Sequence, residues 1–368
     1  MSCVMTPIGR RVSVLLICVA ATYLLAGSAR AGATGWQIFV SNEKSGDVTV
    51  IDGLDLKVIA TIPVGKRPRG IQVGPDGKTV YVATSGTPIE APPQLDAQGN
   101  PIFQRGKGVS KDDDDDDTAS ADKSADGIAV IDVTAQKVTG KIPAGSDPEE
   151  FALSKDGTRL YVSNEDTKTA SVIHIASGKV EHIILVAQEP EGVGTAPDGR
   201  SFLVTCETGG DIFVIDAISY RTTAHVKVDV RPRSVDFLPD GSIAFIPSES
   251  VGELNVIDIG TAKVVKTVTL PAGSRPMKVR VAADGKRVFV SNGRAGTVSA
   301  VDAHSYELLD TIKVGTRPWG LALSPDGKYL YSANGPSNDI SVVDLSTNKE
   351  IARVKAGSSP WGVTVVPH

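Results

Sequence analysis

Residues Arg317 to Gly357 read RPWGLALSPDGKYLYSANGPSNDISVVDLSTNKEIARVKAG. Four short runs lie inside this stretch. Gly320 to Leu323 leads into the turn Pro325-Asp326-Gly327. Leu330-Tyr331-Ser332-Ala333-Asn334 follows, then a run ending at Asp344, then a last run closing on Gly357. Asp-Gly between apolar runs is a strong hairpin signal. Runs rich in Val, Ile, Tyr and Phe, bounded by Gly, Asp and Asn, are strands. The stretch therefore predicts four short antiparallel strands, named A, B, C and D from its N-terminal end.

The same pattern recurs along the chain. Its opening tetrad appears as Arg67 to Gly70, Asp147 to Glu150, Glu189 to Gly192, Arg231 to Ser234, Arg275 to Lys278, Arg317 to Gly320 and Ser359 to Gly362. The tetrad prolines, from Pro68 to Pro360, are spaced 80, 42, 42, 44, 42 and 42 residues apart. A fixed period of this length marks one supersecondary unit repeated, and four strands per period describe a propeller blade. The first apolar run, Ile38 to Asn42, has B-strand character, whereas the last, Gly362 to Val366, has A-strand character. The final A strand must then join the first B, C and D strands, closing the ring and removing open sheet edges. The fold class predicted is an all-β, seven-bladed β-propeller with four-stranded antiparallel blades.

The blade Arg317 to Gly357 resembles the YVTN-type β-propeller repeat along its whole length. The order of tetrads, with D-P-E and E-P-E-G in succession, then R-P-R, and P-W-G at the end, resembles the β-propeller proteins associated with PQQ-dependent alcohol catabolism. That resemblance implies a periplasmic accessory or binding role in a PQQ-linked pathway. It does not imply that this chain holds PQQ, and no cofactor is expected.

The N-terminus has another character. Arg10 and Arg11 precede an uncharged apolar run from Val12 to Ala26, and Ala29-Arg30-Ala31 is a small-residue cleavage site. Residues 1–31 are therefore predicted to be a secretory signal peptide and 32–368 the propeller. This implies a periplasmic or secreted protein with no membrane span after cleavage. Only Cys206 remains in the mature chain, so no internal disulfide is available, and it reads as a small packed residue. The net charge of -5 becomes -8 once the three signal arginines are removed. An acidic chain of this kind argues against a nucleic-acid partner. A monomer with a protein or small-molecule ligand is expected.

The 80-residue spacing carries an insertion over 85–126, between strands B and C of the second blade. It holds ten acids and four bases, six of the acids being the run Asp112, Asp113, Asp114, Asp115, Asp116 and Asp117. Such a segment favours disorder. Aspartate oxygens suit Ca²⁺, but the D-x-D-x-D-G spacing with a distal Glu is missing, so a solvated loop is the better reading. The PQQ-associated resemblance does not lead one to expect this insertion.

Alternating strand direction puts the tetrads, the B-strand ends and the insertion on one face. The third and fourth blades supply Asp147, Glu149, Glu150, Glu165, Glu189, Glu191 and Glu207 to it. The other blades supply Arg67, Arg69, Arg231, Arg233, Arg275, Lys278 and Arg317, with Trp319 and Trp361 in adjacent blades. Two readings follow. The charges brace neighbouring blades, or they form a polarised binding face with the tryptophans as contact anchors. Catalytic signatures are sparse. The five histidines make no zinc spacing, and no nucleophile elbow or P-loop occurs. The expectation is a non-enzymatic binding protein. The alternative is a lactonase-like hydrolase or a quinoprotein-like oxidoreductase, for which clustered glutamates could supply acid–base chemistry.

Overall fold

A computed structural model describes residues 35–88 and 121–367. Seven four-stranded antiparallel sheets follow one another. Blade 1 is closed by the chain's two ends: its A strand is Pro360–Pro367 and its B, C and D strands are Trp36–Asn42, Asp47–Asp52 and Val58–Pro63. Ile38 pairs with Val365 and Val40 with Val363 across this closure. The closure is also pinned from the neighbouring blade, where the Trp36 indole N–H donates to the Tyr331 hydroxyl at 2.8 Å. No helix among the described residues is long and apolar enough to cross a membrane.

Burial explains the composition of each strand. B and C strands are covered on both faces by neighbouring blades, so Arg287–Asn292 (RVFVSN) is buried at every position after the first. The D strand is the outer edge, and Lys349–Lys355 alternates exposed and half-buried positions. One phenylalanine fills the space between blades at Phe39, Phe151, Phe202, Phe245 and Phe289, all fully buried. Each contributes ~1.5–3 kcal/mol by leaving water. The aspartates that end the C strands act as turn caps: Asp302 Oδ1 accepts the N–H of His304 and Ser305 at 2.9 and 2.8 Å. Asp52 and Asp216 do the same.

Tetrad geometry is uniform where its letters are not. The first residue adopts positive φ in all seven copies: Arg67, Asp147, Glu189, Arg231, Arg275, Arg317 and Ser359, from 42° to 62°. Non-glycine residues enter this region at a cost and need surrounding structure to hold them there. In six blades the same residue's carbonyl accepts the N–H of the residue just after the B strand, as in Glu207 N–H to Glu189 O at 2.9 Å. The proline that follows then starts or flanks the A strand. The positive φ is common to every blade and the carbonyl contact to all but blade 2, which leaves the side chain free to differ. Blades 2 and 5, which carry R-P-R, have the shortest A strands, Ile71–Val73 and Asp236–Phe237.

Candidate functional site

Every tetrad and B-strand end lies on one face, and the charged residues there form two clamps that mirror each other. In the first, Arg69 of blade 2 reaches into blade 3. Its Nη2 meets Asp147 Oδ1 at 2.6 Å and its Nη1 pairs with Glu149. All three are nearly inaccessible, at 5%, 4% and 3% exposure. In the second, Arg233 of blade 5 reaches back into blade 4, where Nη2 meets Glu191 at 3.0 Å and Nη1 pairs with Glu207. Arg231 adds contacts to Glu207 at 2.8 Å and Glu249 at 3.1 Å. The arginines of the two R-P-R blades thus bracket the acids of the two blades between them.

Between the clamps lies Glu165, the first residue after the B strand of blade 3. Its side chain makes no hydrogen bond or ion pair among the described residues. Burial pushes its carboxyl up to about 7, with the Glu191 and Asp147 carboxylates adding to the rise and the Arg69 and Arg233 guanidiniums opposing it. Carboxylate oxygens of Asp147, Glu149 and Glu165 lie within 4.8 Å of one another, so these are the residues that could hold a metal ion. Two of the three are already neutralised by Arg69, against which a cation would have to compete.

The remaining candidates are distributed around this seam. Glu150 crosses the central channel to Lys278, with Oε1 and Nζ 2.5 Å apart. Trp319 and Trp361 sit side by side at the channel mouth, ring centroids 6.4 Å apart, and the Arg317 guanidinium lies 5.2 Å above the Trp319 ring. A small cavity of ≈ 30 Å³ lies among Glu191, Arg233, Lys278, Met277 and the two tryptophans, room for about two waters. The mouth is thus largely filled by its own side chains. Three candidates lie at the margin of the seam or outside it. Arg67 turns to Glu43 at 3.5 Å and to the Thr87 carbonyl at 2.8 Å, and its Nη1 is 4.0 Å from Asp147. Glu189 is exposed and accepts from the Thr208 hydroxyl at 2.5 Å. Arg275 approaches Glu249 only through its charge. The run Asp112 to Asp117 falls outside the described residues. The stem of the insertion is ordered, with Gly86 N–H bonded to Asp126 at 2.8 Å and Lys123 to Asp166 at 2.6 Å.

Sequence reasoning missed two members of the network, Glu43 and Glu249. Both occupy the position just after a B strand, as Glu165 and Glu207 do. Aligning the repeats on Asn42-Glu43, Asn164-Glu165, Cys206-Glu207 and Ser248-Glu249 would have found them.

The family model described as "Lactonase, 7-bladed beta-propeller" matches residues 189–365, and "Choice-of-anchor I domain" matches residues 37–184. No curated protein matches the chain. Among solved structures the chain is similar to the hydrazine synthase of Kuenenia stuttgartiensis, at 21% identity and TM-score 0.65, covering 82% of this chain and 95% of that one. It is similar to a putative 6-phosphogluconolactonase from Bacteroides fragilis, at 17% identity and TM-score 0.69, covering 91% and 99%. It is also similar to dihydro-heme d1 dehydrogenase NirN in complex with DHE, at 18% identity and TM-score 0.60, covering 87% and 64%. At these identities the likeness is one of fold, and together with the closed ring of seven sheets it makes this chain a β-propeller protein.

Proposed function

We propose that the seam between blades 3 and 4 is a hydrolytic site of lactonase type, in which Glu165 is the general base. One observation carries the reading. Glu165 is the unpaired carboxyl beside two clamps whose acids all have cations, and its affinity for protons is poised near neutrality. A base of that strength accepts a proton from water and returns it within one cycle. Water attacks the lactone carbonyl as Glu165 takes its proton. The ring C–O bond breaks and the departing alkoxide recovers the proton from Glu165. The product is a hydroxy acid. Arg69 and Arg233 supply the positive field in which the carbonyl oxygen gains charge. The match of residues 189–365, which include Glu191, Glu207 and Arg233, to the lactonase propeller model supports the reaction class.

The test is hydrolysis of a panel of γ- and δ-lactones, followed by proton release. Turnover should rise through pH 7, and Glu165→Gln should lower kcat about 100-fold or more. A folded wild-type protein with no turnover on any lactone, or a Gln variant of undiminished rate, would overturn the assignment.

A second reading rests on the clamps themselves. Arg69 and Arg233 satisfy most of the acids around them, as blade-bracing charges would. With the tetrad order quoted above and the export signal of residues 1–31, this supports an exported, non-enzymatic partner of a PQQ-dependent dehydrogenase system. Capture of such a dehydrogenase by the wild-type protein, and its release by Arg231→Glu and Arg317→Glu, is the outcome that favours it.

A further inference from the structure

We propose that the central channel contains a second binding site, for a short-chain monocarboxylate, separate from the seam on the tetrad face. The channel wall is built from the A strands. At the fourth tetrad position five blades carry glycine or serine, and only Glu150 and Lys278 have long side chains there. They belong to blades 3 and 6, on opposite sides of the ring, and meet at 2.5 Å. Their ion pair is a strut that closes the channel toward the tetrads.

Beyond the strut lies a chamber of ≈ 330 Å³. One water needs ~10–15 Å³ by the same measure, so the chamber has room for a small organic molecule. Its polar groups differ in what they have left to give. Both Asp236 oxygens are taken by backbone N–H groups, of Phe237 at 2.9 Å and Val281 at 2.8 Å. Thr195 donates its hydroxyl to Leu153 O at 2.8 Å. Arg280 donates from Nε to Leu321 O at 3.1 Å and from Nη1 to Val279 O at 3.4 Å. These two bonds fix the guanidinium plane and leave Nη2 without a hydrogen bond among the described residues. Lys278 has donors beyond the one given to Glu150.

The spare capacity of the chamber is therefore mostly that of donors: Arg280 Nη2, whose counter-charge is Asp236, and the further N–H groups of Lys278, whose charge Glu150 already meets. An oxyanion answers it, and the planar guanidinium matches a carboxylate in particular. Asp236 would repel a second negative charge, which selects a monocarboxylate over a dicarboxylate. Val73, Leu153 and Phe237 on the same wall accept a short aliphatic tail.

Butyrate and its neutral isostere butyramide, titrated calorimetrically into the full-length mature protein at pH 8, test the site. Butyrate should bind saturably and butyramide should not. Arg280→Gln should weaken butyrate about tenfold or more. Asp236→Asn should tighten it, and Glu165→Gln, a change in the seam, should leave it unchanged. Circular dichroism checks that both variants are folded; if either is not, the contrast between butyrate and butyramide on the wild-type protein carries the test. Absence of saturable butyrate binding, equal binding of butyramide, or binding indifferent to the charge of residues 236 and 280 overturns the proposal. An effect of Glu165→Gln as large as that of Arg280→Gln also overturns it, because the ligand would then sit in the seam.

Discussion

Replacing Glu165 by glutamine should stabilise the protein, by an amount that grows between pH 4.5 and 7 and is constant above. Glutamine keeps the shape and removes the charge. In the folded chain the Glu165 carboxyl is pushed from its ordinary 4.5 up to about 7, chiefly by burial. The folded state therefore holds this proton more tightly than the unfolded state does. Between those two values the native protein binds more protons, so its stability falls as pH rises. Below pH 4.5 Glu165 is neutral in both states and carries no penalty. Above pH 7 it is ionised in both, and the fold bears the whole cost of a half-buried, unpaired carboxylate. At about 1.4 kcal/mol per tenfold change in proton affinity, that cost is ~3 kcal/mol. The Gln variant should thus match wild type near pH 4.5 and exceed it by ~3 kcal/mol at pH 8.5. Denaturant unfolding of both proteins at the two pH values measures the difference. Carbon-detected NMR of the Glu165 carboxyl should show a titration step near 7. A stability difference that is the same at both pH values, or a step near 4.5, refutes the argument that this carboxyl is uncompensated.

The clamps make a contrasting prediction. Arg69→Met strands Glu149 as a buried charge and leaves Asp147 only the more distant Arg67, and should cost ~3–5 kcal/mol, most of it recovered when both acids are also made amides. Unfolding of the single and triple variants checks this. At the channel strut, Glu150→Gln and Lys278→Met should each destabilise by a similar ~3–5 kcal/mol, whereas the double variant should lose much less than the two together. A double-mutant cycle reads the coupling directly. Cys206 is fully buried and burial pushes its thiol up to about 12, so a thiol reagent should label it at the rate of unfolding rather than in the native state.

The fold was legible because it is written seven times. The Pro spacing, the Asp-Gly turns and the strand frame shift between Ile38 and Val366 each constrain it independently, and the pairing of the last A strand with the first B strand follows from them; the structure sets its register, Ile38 to Val365. The site was half legible. Charge letters in the tetrads located the acidic blades and the flanking arginines. They could not show that Arg69 reaches forward into blade 3 while Arg233 reaches back into blade 4. Those directions depend on rotamers and on how far one blade leans over the next, neither of which has a sequence period. Glu43 and Glu249 were hidden for a simpler reason: they follow B strands as Glu165 and Glu207 do, but in blades whose tetrads, S-P-W-G and R-P-R-S, carry no acid. The strut between Glu150 and Lys278 joins residues 128 apart and needs the ring closed before it exists.

That strut also bears on why the tetrad varies. If the tetrad face were only a brace, each blade could use the same letters, since positive φ and the carbonyl contact to the B-strand end recur in every tetrad but one. Variation is confined to side chains with no part in that contact. Where the fourth letter is glycine, a side chain would meet neighbouring backbone: at Gly362 a Cβ would lie 2.7 Å from Arg69 O, and at Gly320 2.6 Å from Trp361 O. Blades 3 and 6 nonetheless carry Glu150 and Lys278 there, opposite each other. Bracing adjacent blades does not call for a link between opposite ones. A long, buried ion pair costs desolvation that well-packed apolar residues would not incur. Its physical effect is to divide one open channel into a nearly filled mouth of ≈ 30 Å³ and a chamber of ≈ 330 Å³. A propeller that merely needed rigidity would gain more from filling the bore with apolar side chains. One that must keep a polar chamber apart from an acidic seam needs a polar partition, and the two departures from glycine supply it.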